Sequence, residues 1–368
     1  MKISIITCHD VYNYGASLQA YALQEYIKSL GHEVTIIDYK PNGDARYDFW
    51  TIPNSCRILD LTQKYKIVAF LYCLYRAPER FYTIGRKKPF ARFKKDFLSC
   101  TNLYKNVEEL RREPPIADVY VAGSDQIWNT VLSNGKDPAF YMDFGDEYVK
   151  RISYAASFAI PAIQTEFKPF VKEMLSHINC ISVRERTGKQ IVNDLGFEAE
   201  VVCDPVFLRN KSQWEEIIHQ RPIVKSPYVL VYDLYSRDPQ IEKAARKVSN
   251  QLGLKIVSVN AFIRKNYADK NINNAGPLEF LNLIYYSKYI ITDSFHASAF
   301  AVIFHIPFVV FQIKKSNNSS RISDFLEEIH LAGQLNSEKV SSDLNFDESD
   351  ELLRDYIASS KKYLEHSL

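Results

Sequence analysis

Short apolar runs with strand character alternate with helix-periodic segments twice along these 368 residues, and that alternation narrows the fold more than any other feature. A strand, an amphipathic helix and a second strand make a parallel crossover unit, which puts helices on the faces of a sheet. The opening reads this way: a buried strand from Ile3 to Thr7, a polar loop from His9 to Gly15, and a helix from Ala16 to Leu30. Gly31 and a strand from Glu33 to Ile37 follow. Residues 41–112 interrupt the pattern with aromatic and basic stretches that read mainly as helices. Strands resume at 117–122, 151–155, 180–183 and 200–202. A second run then begins: strand 228–232, helix 239–252, strand 255–259, helix 277–286, a strand and helix around His296, and strand 307–311.

The expectation is an α/β chain of two Rossmann-like, doubly wound domains facing a cleft, and the length suits two domains. The first spans 1–209 with a basic, mainly helical insertion at about 41–112. A linker over 210–227 carries Pro222 and Pro227, a second domain covers 228–340, and a helical tail ends the chain. Asp38, at the end of the second strand, is where a dinucleotide fold places its ribose-binding acid. The Asn13-Tyr14-Gly15 turn supplies one glycine where that fingerprint needs three, so a dinucleotide is not expected.

Charge is unevenly spread. Eleven Lys and Arg between Arg57 and Lys95 face only Asp60 and Glu79, which leaves +9; the whole chain carries +2, so the rest sums to −7. Within this stretch Ile67 to Tyr75 is apolar but too short to span a bilayer. It reads either as a solvated basic face or as a peripheral contact with anionic lipid. The run matches no nucleic-acid module, and no nucleic-acid partner is expected. The six cysteines are scattered without a C-x-x-C pair, which argues against a zinc site and a disulfide framework. The first residues lack a long apolar stretch before polar His9-Asp10, so a cytoplasmic protein is expected. The 24 tyrosines and 22 phenylalanines hint at flat faces for sugar rings.

Five polar segments fall where strands give way to helices. Thr292-Asp293-Ser294-Phe295-His296-Ala297 follows a buried strand and precedes a small, apolar helix. Asp293 or Ser294 can cap that helix, and its free N–H groups would sit beside the His296 imidazole. Gly123-Ser124-Asp125-Gln126-Ile127-Trp128-Asn129 offers donors and acceptors; Trp128 can stack on a sugar or lie in the core. Arg184 ends a strand, and its planar fork suits carboxylate or phosphate, or pairs with a structural carboxylate. Arg186 should face solvent, and Asp204 in Cys203-Asp204-Pro205 can form a turn or line the cleft, with the turn favoured. The loop from Lys314 to Arg321 could close over an anion through Lys315 and Arg321.

Together with Asn13-Tyr14-Gly15-Ala16-Ser17-Leu18-Gln19, four of these segments, Gly123 to Asn129, Ser182-Val183-Arg184-Glu185, Cys203-Asp204-Pro205 and Thr292 to Ala297, resemble the polysaccharide pyruvyl transferase family, in order and over most of the chain. The resemblance implies a fold similar to GT-B glycosyltransferases. It also implies transfer of the enolpyruvyl unit of phosphoenolpyruvate to a sugar of a polysaccharide or its lipid-linked precursor, with release of phosphate and no cofactor or metal. Many family members carry arginine two residues before the histidine, where this chain has Ser294. The expected roles are His296 as acid and Asp125 as base, with Arg184, Asn13, Gly15, Ser124, Ser294, Lys315 and Arg321 on the donor. Trp128 and Asn129 would meet the acceptor. A lipid-linked acceptor would bring residues 57–95 to the inner membrane face. A nucleotide-sugar glycosyltransferase and a noncatalytic carbohydrate-binding relative remain the alternatives, since fold alone does not separate them.

Overall fold

The computed structural model describes residues 1–41, 52, 59–234, 238–260, 264–312, 320–341 and 343–368. Its first sheet contains β1 (Lys2–Ile6), β2 (Glu33–Tyr39), β3 (Cys100–Tyr104), β4 (Val119–Ala122) and β5 (Lys150–Ser153), all parallel, in the order β3-β2-β1-β4-β5. Helices α1 (Tyr14–Ser29), α2 (Leu59–Lys64), α3 (Lys66–Thr83), α4 (Lys87–Phe97) and α5 (Val107–Arg112) lie between these strands in sequence. Ile3, Ile5 and Ile6 are all buried, as a central parallel strand covered on both faces requires. Beyond β5 come α6 (Lys168–Leu175), β6 (Ser182–Val183), α7 (Arg186–Asp194), β7 (Glu200–Val201) and α8 (Lys211–Glu215).

The second sheet repeats the first. Strands β8 (Tyr228–Tyr232), β9 (Lys255–Val259), β10 (Lys270–Ile272), β11 (Tyr289–Thr292) and β12 (Phe308–Val310) are parallel in the order β10-β9-β8-β11-β12. Helices α9 (Pro239–Leu252), α10 (Pro277–Tyr285), α11 (Phe295–Phe304) and α12 (Ser320–Glu328) accompany it. Helix α13 (Asp347–Ser367) returns to the first half: Ser360 Oγ accepts the Cys203 N–H at 2.9 Å and the Tyr363 hydroxyl donates to Ser153 O at 3.1 Å.

The expected α/β architecture of two doubly wound parallel sheets is therefore present, with two strands the sequence reading missed. Both β3 and β10 hold the same outer position in their sheets, and both are half-exposed. An edge strand facing water needs no apolar alternation, so its sequence resembles a loop. Residues 41–112 thus contain a sheet strand as well as helices.

An aromatic seam joins the halves. Tyr14 stacks on Phe280 with centroids 4.4 Å apart and on Phe90 at 5.5 Å, and Trp214 meets Phe300 edge-on at 5.0 Å. Most of the largest fully buried side chains are aromatic, so much of the tyrosine and phenylalanine excess serves the core. Each sheet reverses strand order beside its central strand, and open sheets bind ligands beyond the carboxyl ends of strands at that point.

Candidate functional site

The histidine segment forms as its residues dictate. Ser294 caps α11 through Oγ, which accepts the Ala297 N–H at 3.4 Å, while its own N–H donates to Thr292 Oγ1 at 3.0 Å. His296 follows in the first turn, 7% exposed. Across the seam Asn13 caps α1, its Oδ1 accepting from Gly15 N at 3.0 Å and Ala16 N at 3.3 Å. The imidazole lies on the Gly15 backbone so closely that a Cβ there would stand 2.0 Å from Nδ1. Only glycine leaves room for the ring. On the ring's other side Nε2 is 3.5 Å from Asp204 Oδ2 and has no hydrogen-bond partner.

Asp204 does two jobs. Its Oδ1 accepts the Val206 N–H at 3.1 Å, the turn role expected of it, while Oδ2 faces both His296 and the Arg184 guanidinium, 2.5 Å from Nη1. Arg184 continues the chain of charges to Asp125 Oδ1 at 3.5 Å, and its guanidinium lies over the Phe295 ring at 5.1 Å. Burial alone would raise the Asp204 carboxyl, but His296 and then Arg184 hold it well below the ordinary carboxylate range. Burial opposes the Arg184 charge, which Asp204 and Asp125 restore and strengthen.

Arg321, in the first turn of α12, lines the same crevice as Arg184, Asp204 and Phe295. It is buried, its Nε is without a hydrogen-bond partner, and it makes no ion pair among the described residues. Burial first, and the Arg184 charge second, push its guanidinium down to about 10, still protonated at neutral pH. Two buried guanidiniums in one crevice favour an anion between them.

His296, Arg184, Asp125, Arg321, Ser294, Asn13 and Gly15 are thus gathered at one cross-domain site. Lys315 lies outside the described residues. Ser124 is buried beneath the site: its N–H donates to Gln19 Oε1 at 3.2 Å and its hydroxyl to Ala155 O at 2.9 Å. The acceptor assignment of Trp128 is corrected. Its ring is fully buried, stacks on Tyr141 at 5.5 Å, and donates Nε1–H to Phe140 O at 3.1 Å, so no sugar can reach it. Asn129 is 4% exposed; its amide donates to Gln126 Oε1 at 3.3 Å and its Oδ1 accepts the Val131 N–H at 3.0 Å, a turn role in place of the acceptor contact. Arg186 is exposed and pairs with Glu328.

Sequence reasoning passed over the orienting position of Asp204, which requires two distant segments to meet. It also missed a cluster of His9, Asp10 and Asp38, whose ligand-type atoms lie within 4.8 Å of one another. The Lys94 ammonium sits there already, 2.9 Å from Asp10 and 2.7 Å from Asp38, and His9 Nε2 is 3.1 Å from Asp38. The cluster therefore reads as an ion network tying α4 to the first sheet.

No curated protein matches the sequence significantly. Among solved structures, a putative UDP-N-acetylglucosamine 2-epimerase from Listeria monocytogenes superposes with a TM-score of 0.49 at 10% identity, over 99% of this chain and 90% of that one. The S. aureus MnaA–UDP structure gives 0.49 at 11% identity, over 97% and 87%. The Methanocaldococcus jannaschii UDP-GlcNAc 2-epimerase gives 0.45 at 13% identity, over 96% and 99%. At sequence level the model describing polysaccharide pyruvyl transferases matches residues 13–315, a span that runs from Asn13 through His296, and the chain belongs to the polysaccharide pyruvyl transferase family.

Proposed function

We propose that this transferase moves the enolpyruvyl unit of phosphoenolpyruvate onto two hydroxyls of a sugar, leaving a pyruvate ketal and inorganic phosphate. The observation that carries the reading is the pair of buried guanidiniums, Arg184 and Arg321, sharing a crevice with the Asp204 carboxylate that faces His296. Two fixed cations suit a donor with a phosphate and a carboxylate, and they stand in for the family arginine that Ser294 replaces. The caps of α1 and α11, at Asn13 and Ser294, turn helix N-termini toward the same place.

In this scheme His296 delivers a proton to the donor's methylene carbon, and C2 becomes electrophilic. The first sugar hydroxyl adds to C2 as Asp125 takes its proton. Phosphate leaves from C2 between Arg184 and Arg321, and the second hydroxyl closes the ketal, its proton going to the departing phosphate. Asp204 orients the imidazole and balances its charge. The acceptor is a glycan or its lipid-linked precursor, which places the reaction at the cytoplasmic membrane face. No metal or cofactor is called upon.

His296→Gln should abolish phosphate release that depends on both donor and sugar while leaving the thermal unfolding curve near wild type. Near-normal transfer by that variant would remove the acid assignment. Phosphoenolpyruvate should raise the unfolding temperature; protection by a nucleoside diphosphate in its place would favour a nucleotide-sugar glycosyltransferase. Donor binding without turnover on any sugar would favour a noncatalytic relative.

A further inference from the structure

Helix α3 is built the wrong way round for a helix facing water. Ile67, Leu71, Leu74 and Tyr75 recur at the spacing that makes one stripe along a helix, and they are 65%, 56%, 48% and 81% exposed. The opposite side is turned into the protein, where Cys73 and the charged Arg80 are 2% and 5% exposed. Leu61 and Tyr65, about half exposed, extend the apolar surface toward α2. Exposed Lys64 and Lys66 stand beside it. At 18 residues α3 is about 27 Å long. No helix among the described residues is long and apolar enough to cross a membrane.

We infer that the outer face of α3 docks on the surface of an anionic lipid bilayer, lying in its plane with the apolar stripe among the acyl chains and the lysines at the phosphates. Exposed lysines bordering an apolar stripe favour an anionic lipid surface over an apolar protein partner. The docked face is coupled to the catalytic cleft. Directly after α3, the Arg86 guanidinium donates to Tyr12 O at 3.2 Å and lies 4.8 Å from the centre of the Tyr14 ring, next to Gly15 and therefore to His296. Docking would thus hold the cleft at a fixed height above the bilayer, where a lipid-linked sugar is presented. That last step rests on the pyruvyl-transfer reading; the docking does not, and its assay needs no turnover.

The full chain is sedimented with vesicles of neutral phosphatidylcholine alone or with about 30% phosphatidylglycerol. Binding to the anionic vesicles should exceed neutral binding at least tenfold, roughly, and weaken as salt is raised. Leu71→Glu combined with Leu74→Glu should reduce it by about tenfold or more without shifting the unfolding curve. Should that pair fail to fold, Tyr75→Glu and Lys64→Glu with Lys66→Glu, all at exposed positions, test the same face. Equal binding to both vesicle types overturns the inference, as does undiminished binding by the variants. A wild-type dimer that the Leu71/Leu74 variant makes monomeric, with no vesicle binding, would assign the face to a second copy of this chain and also overturn it.

Discussion

Gly15→Ala isolates the contact on which the site depends. Gly15 lies in the first turn of α1 without a positive φ, so alanine by itself should favour the helix by roughly 0.5–1 kcal/mol. The added methyl would stand 2.0 Å from His296 Nδ1 and 2.2 Å from its Cγ, where ordinary contact begins at 3.4 Å. The ring must retreat by about 1.4 Å, or α1 and α11 must part by as much. Retreat is resisted on the far side, because buried Asp204 is already 3.5 Å from Nε2. Overpacking of this kind costs roughly 1–3 kcal/mol, which the helix gain partly offsets. The net loss of about 0–2 kcal/mol leaves the protein folded and lowers Tm by a few degrees at most. Activity should suffer far more, since misplacing a reacting group by 1 Å costs on the order of 100-fold. The assay is donor- and sugar-dependent phosphate release alongside thermal unfolding. The expected result is kcat/KM down about 100-fold with a nearly native melt. Adding Gly15→Ala to His296→Gln should then cost nothing further, because the group it displaces is already gone. Activity within about threefold of wild type, or full additivity of the two changes, would refute the reasoning.

Asp204→Asn should leave the Arg184 charge without its closest buried counterion and cost roughly 3–5 kcal/mol in unfolding free energy by denaturant titration. The pH dependence follows from the depressed Asp204 carboxyl: its contribution is fully present above the unfolded value near 4 and is lost as pH falls toward the lower folded value, so the variant's stability should flatten in that window. Asp38 behaves alike. Burial raises its carboxyl, but His9 and Lys94 lower it to about 2, so Lys94→Met should remove roughly 1–2 kcal/mol at neutral pH and shrink the stability loss between about pH 4 and 2. Trp128→Phe should lower Tm through the lost Nε1–H bond to Phe140 O yet leave the acceptor KM within about twofold; a raised KM with an unchanged melt would restore the sugar-stacking role.

What could be read from the sequence was local. Periodicity reports which side of a short segment is covered, so the central strands and their helices stood out, whereas β3 and β10, each at a sheet edge, did not. The cap of α11 behaves similarly: Ser294 bonds to the N–H three residues onward, and such a bond follows from residue type and position. His296 and Arg184 were likewise conspicuous because each follows a buried strand, and Asp204 because a turn needs a residue of its kind.

The sequence by itself therefore determined two parallel α/β runs, the cap of α11 and the strand ends where chemistry collects. Only the tertiary structure decided that Gly15 must lack a side chain because His296, far along the chain, fills its space, and that Asp204 serves Arg184 and His296 together. It also consigned Trp128 to the core and turned the apolar stripe of α3 outward. The physical reason is common to all four: backbone preference and periodicity act over a few residues, whereas which faces meet is set by the packing of two domains against each other.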